Sequence, residues 1–96
     1  MHARVYKIQS GKLEQWKSWC EKLNTSLRDE AKSTIKEEGG TFESVLVFSL
    51  GDDWYTVGIS DAVKSGNMDR AINQEHQRQK KECLESGVSV EVFYSL

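Results

Sequence analysis

The residues best suited to chemistry in this chain are His76 and Gln79, with Glu75 beside them, in the stretch AINQEHQRQKKEC. At 100° per residue they fall on one helical stripe, Met68, Ile72, His76, Gln79 and Cys83, whose middle is polar where packing on a sheet calls for apolar side chains. Buried polar groups need partners. One reading is a histidine hydrogen-bonded to the sheet or placed at an exposed helix edge. In the other, His76 and Gln79 line a cleft between helix and sheet, where an imidazole titrating near neutral pH holds or transfers a proton. Tyr6, Trp16, Trp54 and Tyr94 are the aromatic candidates for the walls of such a cleft.

Other chemistry has little to stand on. The second histidine, His2, lies at the terminus, and a lone His76 makes a poor metal site, so neither a metal nor a cofactor is expected. Cys20 and Cys83 fall in different helical stretches with no Cys-x-x-Cys spacing and read as reduced thiols. No phosphate-cradling glycine loop and no serine nucleophile elbow occurs. The basic residues Arg70, Arg78, Lys80 and Lys81 are interleaved with glutamines and Glu82, the pattern of a solvated helix face.

These residues must be positioned by elements that the spacing outlines. Two runs rich in β-branched and aromatic residues, Phe42 to Leu50 and Trp54 to Ile59, flank Gly51-Asp52-Asp53 and predict a hairpin with a three-residue connection. Before it, Ala3 to Ile8 reads as a strand. A helix from about Lys12 to Glu38 comes next, with Ser10 as N-cap and Gly39-Gly40 as the C-terminal stop. Its stripe is Leu13, Trp16, Cys20, Leu23 and Leu27, spaced 3, 4, 3, 4, with Trp19 on the flank. After the hairpin, Asn67 caps a helix from about Met68 to Glu85, Gly87 closes it, and Val88 to Tyr94 alternates as a last strand. The order β-α-β-β-α-β is the split arrangement called ferredoxin-like, an α+β fold with a four-stranded antiparallel sheet, here as a single domain over 1–96.

Composition bounds the function. With 96 residues, the chain is one small domain with a thin core. Its hydrophobic content of 38% is gathered in periodic runs, which argues for a folded chain despite a mean hydropathy of −0.61. A net charge of −2 and a pI near 5.7 give no field to attract a phosphate backbone, and the third-strand sequence Asp53-Trp54-Tyr55-Thr56-Val57-Gly58-Ile59 lacks the basic aromatic pattern of the RNA-recognition module. Charge and motif together argue against nucleic acid as a partner. No signal-peptide pattern and no stretch of about 18 apolar residues is present, so a cytoplasmic protein without a membrane partner is expected.

The strands are apolar on both faces: Val45 and Val47 oppose Leu46 and Phe48, Trp54 opposes Tyr55 and Val57, and Val92 opposes Phe93. Two helices cover only one face of a four-stranded sheet, and a second copy of the same sheet is the economical cover for the other. A homodimer is expected. The element order, this two-sided sheet, the hairpin GGTFESVLVF and the terminal VEVFYSL resemble the dimeric α+β-barrel superfamily, which includes antibiotic-biosynthesis monooxygenases, stress-responsive barrel proteins and L-rhamnose mutarotases. Within it the chain is most similar to uncharacterised bacterial families of about this length. The resemblance implies two sheets pairing across a two-fold axis and a small-molecule cleft in each subunit. The mutarotases carry their catalytic histidine on the first helix, where this chain has none, so no catalytic residue transfers. The expected function is small-molecule binding in the cleft, at His76, Gln79, Tyr6, Trp16, Trp54 and Tyr94. The alternative is a cofactor-independent enzyme of the monooxygenase or mutarotase type with His76 as acid and base.

Overall fold

The computed structural model describes residues 1–96. In chain order the elements are β1 (His2–Lys7), α1 (Leu13–Asn24), α2 (Arg28–Glu37), β2 (Glu43–Leu50), β3 (Asp53–Ser60), α3 (Ala71–Cys83) and β4 (Val88–Val90). The strands form one antiparallel sheet in the order β2-β3-β1-β4, compatible with the ferredoxin-like arrangement expected from the element order. No helix is long and apolar enough to cross a membrane.

Four local expectations are corrected. The first helix is two helices, because Asn24-Thr25-Ser26 offers side chains that compete with the helical ladder. Thr25 Oγ1 donates to the Glu21 carbonyl at 2.6 Å, and the Leu27 amide donates five residues back to Lys22 at 2.8 Å. The hairpin has a two-residue connection, Gly51-Asp52, since Leu50 pairs with Asp53. Gly51 stands at φ 62° while Asp52 keeps a negative φ, the requirement of a type II′ turn with glycine first. The helices begin at Lys12 and Arg70 as N-cap positions, neither with a side-chain cap bond, in place of Ser10 and Asn67. Asn67 Oδ1 instead accepts from the Asp69 amide at 2.9 Å, closing an Asx turn one step upstream. The last strand stops at Val90, where its register has brought it to Ala3, and β1 has almost no residues left to pair with 91–94.

The register fixes what each sheet face carries. Trp16 on α1 donates its indole N–H to Thr56 Oγ1 at 3.2 Å, so Thr56 faces the helices, and with it the residues paired beside it, Tyr6 and Val47. By alternation Arg4, Ile8, Gly58, Glu43 and Val45 share that face. The core is Ile8, Trp16, Trp19, Ile72, Cys83 and Leu84. Trp19, placed on the flank by the stripe, is one of its members, while Leu13, Cys20, Leu23 and Leu27 are only partly buried against it. The opposite face carries Val5, Leu46, Phe48, Leu50, Tyr55, Val57 and Ile59, and no helix covers it. Leu46 and Leu50 are 51% and 68% exposed there, and the Phe48 and Tyr55 rings stack at 5.3 Å.

Candidate functional site

Between the helix layer and the sheet lies an open cleft of about 1360 Å³. Its floor is the helix-facing side of β1 and β3: Arg4, Tyr6, Thr56 and Gly58, with Val45 and Glu43 from β2 beyond. Its roof is Trp16, Cys20 and Leu23 from α1, Ala31 and Ile35 from α2, and Ile72, His76 and Lys80 from α3. The helix is interrupted at residues 25–27, and Val45 and Val47 on the helix-facing side of β2 stay exposed beside the cleft.

His76 is both bonded and open. Its Nδ1 accepts the Trp19 indole N–H at 2.9 Å, and its ring lies 6.2 Å from that of Trp16 and 6.0 Å from that of Trp19. The partner is thus a helix side chain and not the sheet. Burial among these rings pushes the imidazole down to about 4, and the Lys80 ammonium one turn away adds to the shift. The ring is neutral at pH 7, and the Trp19 bond places its proton on Nε2. No buried side-chain nitrogen or oxygen lacks a partner, and Nε2 has no protein acceptor, so this N–H is reached by solvent in a residue that lines the cleft.

Tyr6 is the second fixed point. Arg4 lies over its ring with the guanidinium carbon 5.7 Å from the centroid, and the Lys80 ammonium stands 5.1 Å from it. Arg4 is oriented by donating to Ser89 Oγ and to the Gly87 carbonyl, both at 3.0 Å. Gly87 is required for packing: a Cβ there would meet Tyr6 Cε1 at 2.4 Å and Cδ1 at 2.7 Å. Neither Arg4 nor Lys80 forms an ion pair with a carboxylate. Glu43 is open to solvent as a residue, yet its carboxyl stands between the cleft walls, where desolvation raises its pKa against the opposing pull of Lys80. Cys20 is pushed up to about 11 by burial, with Cys83 adding to the effect, and so is a protonated thiol.

The structure brings Tyr6, Trp16 and His76 together and leaves the other sequence candidates elsewhere. Gln79 is turned towards α1, accepting from Gln15 Nε2 at 3.1 Å and donating to Glu75 at 2.9 Å. Glu75 is occupied by Arg78 as well, which holds its carboxyl down to about 2. Trp54 lies at the other end of β3, across from Ile8, beside the turn that precedes α1. Tyr94 is past the end of β4 and 77% exposed. Sequence reasoning overlooked Arg4, Thr56, Gly58 and Lys80. Gly58 had left a signal: it is a glycine in the middle of a β-branched and aromatic run, where it weakens the strand unless something approaches closely. Lys80 was hidden in the basic face of α3, and only its position over Tyr6 separates it from its neighbours.

No three histidine, cysteine, aspartate or glutamate side chains converge as a metal site would need. Comparison with the curated proteins and with the solved structures gives no significant match. The profile of a family of unknown function matches residues 2–96, and the chain accordingly belongs to that family, DUF6176.

Proposed function

We propose that the protein binds a small molecule in the cleft between its helices and sheet. The observation that carries this reading is Gly58. It sits mid-strand in β3, paired with Arg4 on one side and Val45 on the other, and faces the cleft. A Cβ built on it would meet nothing within 4 Å, and its φ is ordinary, so neither crowding nor backbone conformation calls for glycine. A glycine that costs strand stability and leaves the floor bare suits a site where a ligand lies against the backbone. Around that bare floor stand a neutral imidazole N–H, a tyrosine, the cations Arg4 and Lys80 over its ring and the apolar walls of Trp16, Val45 and Ile72, the mixture typical of small-molecule sites.

His76 accepts from Trp19 at Nδ1, presents its Nε2–H to the cleft as a free donor and does not titrate near neutrality, which favours a binding role over the alternative of an acid and base catalyst. The test is Gly58→Val, which fills the floor with a side chain suited to a strand. Small molecules extracted from the purified wild-type protein should be missing from the equally folded variant. Identical extracts from both, or none from either together with no response to a metabolite panel, would overturn the reading.

The same proposal includes a homodimer that pairs the uncovered sheet faces into a two-sheet barrel. Support comes from the apolar face of Leu46, Phe48, Leu50, Val57 and Ile59, continued by Val88 and Val90 of β4. A second copy of this face would bury it by symmetry.

A further inference from the structure

The side chains of the cleft narrow its ligand to one chemical class, an assignment that rests on the cleft being a binding site. Arg4 and Lys80 come from opposite ends of the chain and converge on the Tyr6 ring, at 5.7 and 5.1 Å from its centroid. Both line the cleft, and no carboxylate pairs with either. Arg4 is held by two neutral acceptors, Ser89 Oγ and the Gly87 carbonyl, and keeps its charge unopposed. On α3 and its approach Arg78 pairs with Glu75 and Glu82, and Arg70 with Glu37 at 3.2 Å, while Lys81, outside the cleft, has no ion pair. Arg28, Lys32 and Lys64 also line the cleft without an ion pair, but only Arg4 and Lys80 stand over the Tyr6 ring. Glu43, the acid on which the Lys80 charge acts, pairs with neither and is itself raised by desolvation.

The rest of the cleft defines the body of the molecule. Trp16 and Ile72 are buried core residues that present an edge to it, Val45 continues the wall, and Gly58 leaves a stretch of flat sheet backbone bare. Such a slot accepts a planar apolar group. We infer that the cleft takes a flat, apolar small-molecule carboxylate, its ring lying over Gly58 between Trp16 and Val45 and its carboxylate received by Lys80 and Arg4 above Tyr6. The Nε2–H of neutral His76 is a further donor along the path between ring and carboxylate. A planar carboxylate matches the fork of an arginine and the point charge of a lysine together, and charge-assisted bonds of this kind are about twice as strong as neutral ones.

The experiment is titration of the full chain with naphthoate and with its neutral isostere naphthamide, read by tryptophan emission, because Trp16 forms the wall. The acid should bind about tenfold more tightly than the amide, the size of one charge-assisted hydrogen bond. Lys80→Met should remove that preference, Lys80→Arg should restore most of it, and Gly58→Val should abolish binding of both probes. Equal binding of acid and amide, with both lost in Gly58→Val, keeps the cleft as a binding site and overturns the carboxylate class. An acid preference that survives Lys80→Met and Arg4→Met also overturns it. Binding indifferent to Gly58→Val, or no binding of either probe, overturns the cleft reading and the ligand class with it. Naphthyl phosphate binding more tightly than naphthoate would replace the carboxylate by a phosphate and overturn the assignment in that way.

Discussion

The indole N–H of Trp19 donates to Nδ1 of His76 at 2.9 Å, tying α1 to α3 across the core. Trp19 is buried, so its N–H has no water to fall back on if the acceptor is lost. His76→Leu should therefore destabilise the protein by roughly 1 to 3 kcal/mol, the cost of an orphaned buried donor. Thermal melts of the purified variant check this, and a variant as stable as wild type would mean that the bond contributes nothing net.

The same pair makes stability depend on pH. His76 is held down to about 4 in the fold, against an ordinary 6.5. A group that resists protonation in the folded state leaves stability unaffected above its unfolded pKa. As the pH falls from about 6.5 towards 4, the unfolded chain gains a proton that the folded chain refuses, and stability drops by at most about 1.4 kcal/mol per pH unit. Denaturant midpoints measured between pH 7.5 and about 4 should fall in wild type and fall less in His76→Gln. Parallel curves for the two proteins would remove His76 as the cause.

Asp61 should act at lower pH. Its carboxylate accepts from the Thr41 hydroxyl, from the Thr41 amide at 2.8 Å and from the Phe42 amide at 3.2 Å, and these bonds lower it to about 2. A depressed acid contributes stability that is present above its unfolded pKa near 3.8 and is lost as the pH falls through about 2. Asp61→Asn should flatten that acid limb of the stability curve while leaving the His76 limb in place.

Two glycines should respond with opposite sign. Gly87→Ala drives a methyl into the Tyr6 ring and should cost about 1 to 3 kcal/mol as overpacking. Gly58→Ala meets open space and should stabilise by about 0.5 to 1 kcal/mol, because alanine loses less backbone freedom in a strand. Melting both variants beside wild type decides the matter, and a destabilised Gly58→Ala would show that the floor of the cleft is already filled.

Leu46→Glu places a charge in the middle of the uncovered apolar face, remote from the core. Light scattering at micromolar concentration should give twice 11.0 kDa for wild type and 11.0 kDa for the variant. A wild-type chain that stays at the single mass would leave the face without its second copy. Within the core, Ile72→Ala should cost about 2 to 5 kcal/mol as a buried aliphatic. Leu23→Ala should cost less, since Leu23 stands half-buried at the cleft wall where the sequence stripe had set it at the centre of the core.

Period and composition were enough for the element types and their order, except that the first helical stretch is two helices. The alternation of β2 and β3 and the glycine at the turn are local facts, as is the 3, 4, 3, 4 spacing that put Trp16 and Cys20 inwards. The polar break at His76 was equally legible, because a single helical turn suffices to see that an apolar stripe has been interrupted. What those patterns could not carry was which polar residues meet. Gln79 is three positions from His76, a rotation of about 60° around the helix axis, and that is enough to send it to Gln15 while His76 goes to Trp19. Arg4, Lys80 and Gly58 share the cleft only because the antiparallel register sets Arg4 opposite Gly58 and the packing of α3 carries Lys80 over Tyr6. The side chains of Asn24-Thr25-Ser26 that interrupt the helix are local, but that Val45 and Val47 stay exposed on the helix-facing side is a matter of packing. Local sequence sets dihedral preferences and faces; long-range pairing and helix direction, decided by burial of the whole core at once, set the distances on which a site depends.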